Sequence, residues 1–410
     1  MPLLKVPSRL RFSQRSPVFW LLFGNLVMFS GIAALFPVAP LYVRQHGGNA
    51  VDVALFVAGP LIANTLVQVP AGRLVDRIGR RPVLIGSRIL YGVFSIGLFV
   101  NAGPLWLLAV LRMLQGATGG AYVPAMMAAL TDLSRPGERG VRFSQMQAAE
   151  MVGLLIGPAL GGSIALWRPS GAFGVAGFMV LVGLLPMWRV PETRGPRSKD
   201  VSATPIQWWK RRGILVPSLA LVAVGTLFTM YDVVWPQYLS ALGINAFVIG
   251  LSISLFALPI LLLARTGGRL SDRVDRRKLV PAAMSIVGLC AFSYPLLNQL
   301  AVILTIGTVE AIAVVVVEPS LFAIIGDNAP EHERGRMMGI GGFFFFSGSA
   351  FGSAALGSLY GVDPHIPFWG GSVAMLLGAA TCLVLLPSRQ LPSGERHLLP
   401  VVPSREGEPV

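Results

Sequence analysis

The chain has 410 residues, of which 54% are hydrophobic and only 13% charged, with 47 Gly and 31 Pro and a mean hydropathy of +0.68. Soluble domains carry about a quarter charged residues, so this chain cannot cover a water-facing surface of its own size, and the same figures exclude a disordered or fibrous chain. A net charge of +14 does not indicate nucleic-acid binding, because the basic residues fall in short clusters between apolar runs.

Twelve apolar segments reach the length a bilayer-crossing helix needs, about 17 to 25 residues. In chain order they are 17–43, 51–72, 83–101, 104–131, 141–167 and 170–188, then 214–240, 246–268, 279–297, 299–326, 336–361 and 366–387. The pattern predicts an all-α membrane protein with twelve transmembrane helices. Lys5, Arg9, Arg11 and Arg15 precede the first segment, but its apolar run is too long for a signal peptide, so it is read as an uncleaved helix. All Lys and Arg except Arg44, Arg88, Arg112 and Arg168 fall in the tails and in alternate connections. By the positive-inside tendency both termini are cytoplasmic and the chain crosses a plasma membrane many times.

The polar stretch 189–213 is the one long interruption, with Trp208, Trp209 and a Lys210-Arg211-Arg212 run suited to the membrane interface. It divides the chain into six-helix bundles at 1–188 and 214–387, followed by a polar cytoplasmic tail, 388–410. The two halves repeat one another. GRLVDRIGRR at 72–81 matches GRLSDRVDRR at 268–277, Pro40-Leu41-Tyr42 matches Pro236-Gln237-Tyr238, and Asp132 matches Asp327, all at an offset of 195 or 196. Two pseudo-symmetric six-helix bundles joined by such a linker resemble the major facilitator superfamily. That resemblance implies a transport site between the halves near the bilayer midplane.

Three motifs carry the resemblance further. Gly72, Asp76, Arg77, Gly79, Arg80 and Arg81 are similar to the superfamily's motif A, in the loop between spans two and three. Glycines there permit tight turning, and Asp76 has no place in a merely basic loop. The resemblance implies that Asp76 latches to the other half when the inner side is closed. In the second copy Asp272 is kept but Asp275 replaces Gly79. Arg112, Gln115 and Gly116 share one face of the fourth span and resemble motif B of proton-coupled members, which implies a part for Arg112 in proton transfer. Gly153, Gly157, Pro158, Gly161 and Gly162 in the fifth span resemble motif C of the antiporters. Their small-residue face is expected to pack on span eight at Gly250 and Ser254. The prolines of Phe36-Pro37-Val38-Ala39-Pro40 predict a bend at the outer end of span one, as in the twelve-span drug:proton antiporters.

Acids inside spans are costly and therefore functional candidates. Glu150 lies in span five on the motif C face, Asp232 in span seven, and Glu310 and Glu318 in span ten. At 1.5 Å per residue, Asp232 and Glu310 fall at similar depth, and these two are the first choice for proton coupling. Phe36, Tyr122, Tyr231, Trp235 and Gln115 are candidate substrate contacts. The whole reads as a proton-driven antiporter, monomeric in the bilayer, exporting a small amphipathic, drug-like compound; the acids favour a cationic one. The alternatives are a symporter or exporter of sugars or metabolites, a sensor, and a membrane-embedded enzyme. Cys290 and Cys382 are isolated in apolar segments and the four histidines are scattered, so no disulfide, metal or cofactor is expected.

Overall fold

In lipid a helix is the simplest way for a chain to satisfy its own backbone. In a computed structural model of the chain, which describes residues 16–100, 103–134, 139–193, 207–329 and 334–386, the described residues form helices and no strands. The helices of the first half are α1 (Pro17–Ala33), α2 (Ala39–Gln45), α3 (Ala50–Ile78), α4 (Arg80–Phe99), α5 (Leu105–Asp132), α6 (Arg139–Ala165) and α7 (Pro169–Val182). Those of the second are α8 (Arg212–Ala241), α9 (Ala246–Arg273), α10 (Arg276–Ser293), α11 (Leu300–Asn328), α12 (Arg334–Phe351), α13 (Gly357–Leu359) and α14 (His365–Leu385). Between α12 and α13 the helix passes through a π turn, Gly352–Leu356.

Among the described residues, ten helices are long and apolar enough to cross a membrane. The two other expected spans fall on α1, which has 17 residues, and α5, whose apolar run is diluted by Arg112, Gln115, Thr118 and three glycines. The bend expected in span one is a full break: the helix stops at Ala33, turns through 34–38 around Pro37, and resumes as α2. Helix starts are written locally. The Asn49 side chain accepts from the backbone N–H of Val51 and Asp52, while Asp52 accepts from Asn49 N–H, a capping box for α3. Asn245, 196 residues on, accepts from Val248 N–H and caps α9.

Within the first half α1 packs on α6 and α7, α3 on α5, and α4 on α5 and α7. Within the second, α8 packs on α12 and α14, α9 on α11, and α10 on α11 and α14. A repeated tie marks the internal symmetry: Tyr42 donates to the Leu98 carbonyl at 3.0 Å, and Tyr238 donates to the Tyr294 carbonyl at 2.7 Å. Both hydroxyls and both carbonyls are related by the offset of 196.

The halves meet mainly through α6 against α9 and α3 against the π turn and α13. Among the described residues, two hydrogen-bonded contacts join the halves toward the end far from the arginine-rich connections. Arg44 of α2 donates through Nε and Nη2 to Gln237 Oε1 of α8, at 2.9 and 2.8 Å. Ala159 N–H of α6 donates to Ser254 Oγ of α9 at 3.2 Å. These contacts, with α6 packed on α9, hold the halves together toward the far end.

Two expectations are corrected. Motif A is not a loop: α3 runs through it to Ile78, and Gly79 alone, at φ +106°, makes the turn into α4. Gly72 is therefore inside a helix with open space at its Cβ position. Motif C does not present all its glycines to span eight. Gly153, Gly157 and Gly161 face α1, where a Cβ would overlap Ser30, Ala33 and Ala34. Only Pro158 and Gly162, about 100° round the helix, meet α9 at Gly250 and Ala246. The helical period explains the split, because residues four apart share a face and their immediate neighbours do not.

Candidate functional site: a cavity between the halves

One cavity of about 680 Å³ lies between the two bundles, lined by α1, α3, α5 and α6 from the first half and α8, α9, α11 and α12 from the second. Its wall includes Arg112, Glu150, Asp232, Glu310 and Glu318, and also Phe36, Gln115, Tyr122, Tyr231 and Trp235. The ten residues put forward for proton coupling and substrate contact thus line one space.

The walls differ in charge. On the second-half side, Glu310 is 1% exposed and both of its oxygens are occupied: Tyr231 donates to Oε1 at 2.9 Å and Tyr294 to Oε2 at 2.6 Å. The same phenols join Trp235 and Phe368 in an aromatic cluster with ring centroids 5.0 to 6.2 Å apart. Trp235 is fixed by its indole N–H, which donates to Ser252 at 2.9 Å. Asp232, one position after Tyr231, and Glu318, two turns along α11 from Glu310, also line the cavity.

On the first-half side the wall carries guanidinium groups. Arg112 is 9% exposed and donates through Nη1 to Gln115 at 2.9 Å, while Gln115 donates to Ser95 at 2.7 Å. Arg112 also feels the Asp232 carboxylate of the other half, although the two form no direct ion pair. Arg88 is 1% exposed; it donates to the Gly183 carbonyl at 2.5 Å and to Tyr122 Oη at 2.9 Å. Tyr122 in turn donates to Asn25 at 2.8 Å, and Asn25 donates to Glu150 at 3.2 Å. A polar chain from α4 through α5 and α1 to α6 therefore ends on Glu150. Sequence reasoning missed Arg88, Asn25 and Tyr294 as members of the site. The signal for Arg88 was present, as an arginine inside an apolar span needs a partner or a cavity.

Away from the cavity, the motif A residues hold the arginine-rich end together. Arg80 pairs with Asp132 at 3.1 Å and with Asp76 at 3.7 Å, all within the first half. Arg276 pairs with Asp327 at 2.5 Å, the repeat of the Arg80–Asp132 bond. The Glu192 carboxylate accepts from the backbone N–H groups of Arg80 and Arg81, at 2.9 and 3.2 Å, and so caps α4. Arg77 and Asp76 are exposed in the last turn of α3. The side chain of Asp272 lies outside the described residues.

Against known proteins, a profile of the Major Facilitator Superfamily matches residues 21–231 and 217–403, and the chain belongs to that superfamily. It is 22% identical over 393 residues to multidrug resistance protein 2 of Bacillus subtilis (strain 168), covering 91% of this chain and 96% of that protein. It is 25% identical over 228 residues to the quinolone resistance protein NorA of Staphylococcus aureus (strain MSSA476), covering 52% and 58% of the two chains. Among solved structures, the fold is similar to the peptide transporter POT in complex with sulfate, with a TM-score of 0.76 at 15% identity over 93% and 96% of the chains. It is also similar to a bacterial homologue of the human lysosomal transporter Spinster in an inward-facing, occupied conformation, with a TM-score of 0.73 at 14% identity over 90% and 94%. The protein is a multi-pass membrane transporter.

Proposed function

We propose that this transporter is a proton-coupled antiporter that exports small amphipathic organic compounds across the plasma membrane. The arginine-rich end, with both termini, is cytoplasmic, and the bundles 1–188 and 214–387, tethered by 189–213, rock about the cavity to expose it alternately. The observation that carries this reading is the gathering of four carboxylates in one largely apolar cavity between the halves. A carboxylate held among apolar groups is expensive in its charged form, so proton uptake and substrate binding compete there. Asp232 and Glu310 exchange the proton, with Glu150 and Glu318 nearer the cytoplasm and Arg112 tuning the balance. Phe36, Tyr122, Tyr231, Trp235 and Gln115 supply contact surface for the substrate. Asp76, with the motif A arginines, latches the cytoplasmic side, and the motif C glycines keep α6 close enough to α1 and α9 to seal the outside. The multidrug and quinolone resistance names of the relatives support export of this kind.

The test uses everted vesicles under an imposed pH gradient, acid inside, with a fluorescent amphipathic cation added outside. Gradient-driven accumulation is expected from the wild type and is lost in Asp232→Asn and in Glu310→Gln, with both variants inserted at normal levels. Undiminished accumulation in both variants removes these acids from the coupling step. Accumulation indifferent to the gradient removes proton coupling altogether.

A further inference from the structure

We infer that the cavity is built for a dipolar ligand, an aromatic amphipath whose carboxylate docks on Arg112 of the first half and whose amine docks beside Glu310 of the second. The inference rests on the transport reading above and adds the charge class of the ligand.

Arg112 is about nine-tenths buried at the cavity wall; its Nη1 donates to the Gln115 amide oxygen, while its Nε and the neighbouring Tyr91 hydroxyl, also in the cavity lining, each lack a partner within hydrogen-bond distance. An arginine in that position has paid its desolvation cost without receiving the planar, two-oxygen acceptor its fork is shaped for. The nearby anion, Asp232, belongs to the opposite half and stands short of an ion pair. A native group left unsatisfied in a cavity wall points to what fills the cavity. A carboxylate is a flat two-oxygen group of the shape a guanidinium fork accepts.

The opposite wall is complementary. Both Glu310 oxygens are held by Tyr231 and Tyr294, so the carboxylate cannot swing across to Arg112. Glu310 shares this stretch of the cavity wall with the rings of Tyr231, Trp235 and Tyr294. Aromatic rings beside a carboxylate make a wall that attracts an ammonium group. A lone cation would leave Arg112 unsatisfied and would feel its repulsion; a lone anion would meet the acid wall. A ligand with both charges and an apolar middle satisfies both walls at once.

The test is a binding measurement on the purified full-length protein in detergent, with three probes on one scaffold. They are 4′-(aminomethyl)biphenyl-4-carboxylic acid, its methyl ester, and its N-acetyl derivative: a zwitterion, a cation and an anion. On the wild type the zwitterion is expected to bind about tenfold tighter than either partner probe, the value of one charge-assisted hydrogen-bonded contact. Arg112→Gln is expected to bring zwitterion and ester within about twofold, by weakening the zwitterion and, with the repulsion removed, somewhat tightening the ester. Asp232→Asn removes the anion that competes for Arg112, so the N-acetyl acid is expected to bind a few-fold tighter, a gain that a misfolded variant cannot give. An ester that binds as well as the zwitterion on the wild type, or an N-acetyl acid indifferent to Asp232→Asn, overturns the inference. So does an Arg112→Gln variant that loses all three probes equally while its monodisperse elution is unchanged. Binding needs no pH gradient. Selective binding without gradient-driven export would therefore refute only the transport reading, and export without selective binding only this one.

Discussion

The α3–α4 junction and its repeat at α9–α10 solve one problem in two ways. Both must turn the chain sharply, satisfy the free N–H groups at the start of the next helix, and leave an arginine able to reach an aspartate on the neighbouring long helix. The ion pairs Arg80–Asp132 and Arg276–Asp327 are common to both. The cap is not. In the second half Asp275 sits at the turn itself and accepts from Arg277 N–H at 3.0 Å, with an ordinary φ of −62°. In the first half the corresponding residue is Gly79, and the missing carboxylate is supplied by Glu192 from beyond the last helix of the bundle. The glycine is required twice over: its φ is left-handed, and a Cβ would strike the Glu192 carboxylate. The replacement of Gly79 by Asp275 is thus an exchange of a cap in trans for a cap in cis. It teaches that the first junction is bound to the start of the interbundle linker, whereas the second is self-contained.

The sharpest way to separate the halves is at motif C. Gly157→Leu drives a side chain into Ser30, Ala33 and Ala34 of α1, so gradient-driven export is expected to vanish in everted vesicles. Gly250→Leu on the α9 side collides with Pro158 and is expected to abolish it as well; wild-type transport by either variant would show that the helices separate freely.

At the junctions the expected effects are smaller and unequal. Gly79→Ala is expected to cost about 1–3 kcal/mol from the unfavourable φ and the collision, against about 1 kcal/mol for Asp275→Ala, which loses only a cap. Thermal unfolding followed by size-exclusion fluorescence measures both. Removing the colliding carboxylate should make Gly79→Ala cheaper in a Glu192→Ala background, so the double variant is expected to be less than additive. Strict additivity would mean that Glu192 does not touch the turn in solution.

The smallest contrast is at the tyrosine ties. Tyr42→Phe and Tyr238→Phe each remove a buried donor and leave a carbonyl behind, at an expected cost of about 1–3 kcal/mol. The two ties are repeats of one another, so similar drops in melting temperature are expected. Clearly unequal shifts would show that the repeated tie does not carry the same weight in the two halves.

Much of this was legible in the sequence. Apolar length located the helices to within a few residues, the repeat announced two bundles, and the rule that acids in lipid face a cavity identified Glu150, Asp232, Glu310 and Glu318. What could not be read was partnership. Periodicity says that Gly153, Gly157 and Gly161 share a face, but not that α1 rather than α9 lies against it. Motif spacing marks Gly79 as a turn, but Glu192 is more than a hundred residues away and no local pattern joins them. Arg88 escaped for a related reason: its partners, Gly183 and Tyr122, stand on other helices.

The π turn at Gly352–Leu356 has a bearing on descent. Helix starts in the two halves are related by 195 at α5 and α11 and at α6 and α12, but by 196 at α7 and α14. The extra residue must enter between Arg334 and His365, and the π turn is where a helix takes one in without lengthening a connection. On either side of it, Gly348 and Gly352 meet Val222 and Thr226 of α8, and Gly357 still meets Val233. The added residue was therefore absorbed by winding, and the seam against α8 survived it. The two halves can be aligned through this helix only by placing a gap inside it, and the gap belongs at the π turn.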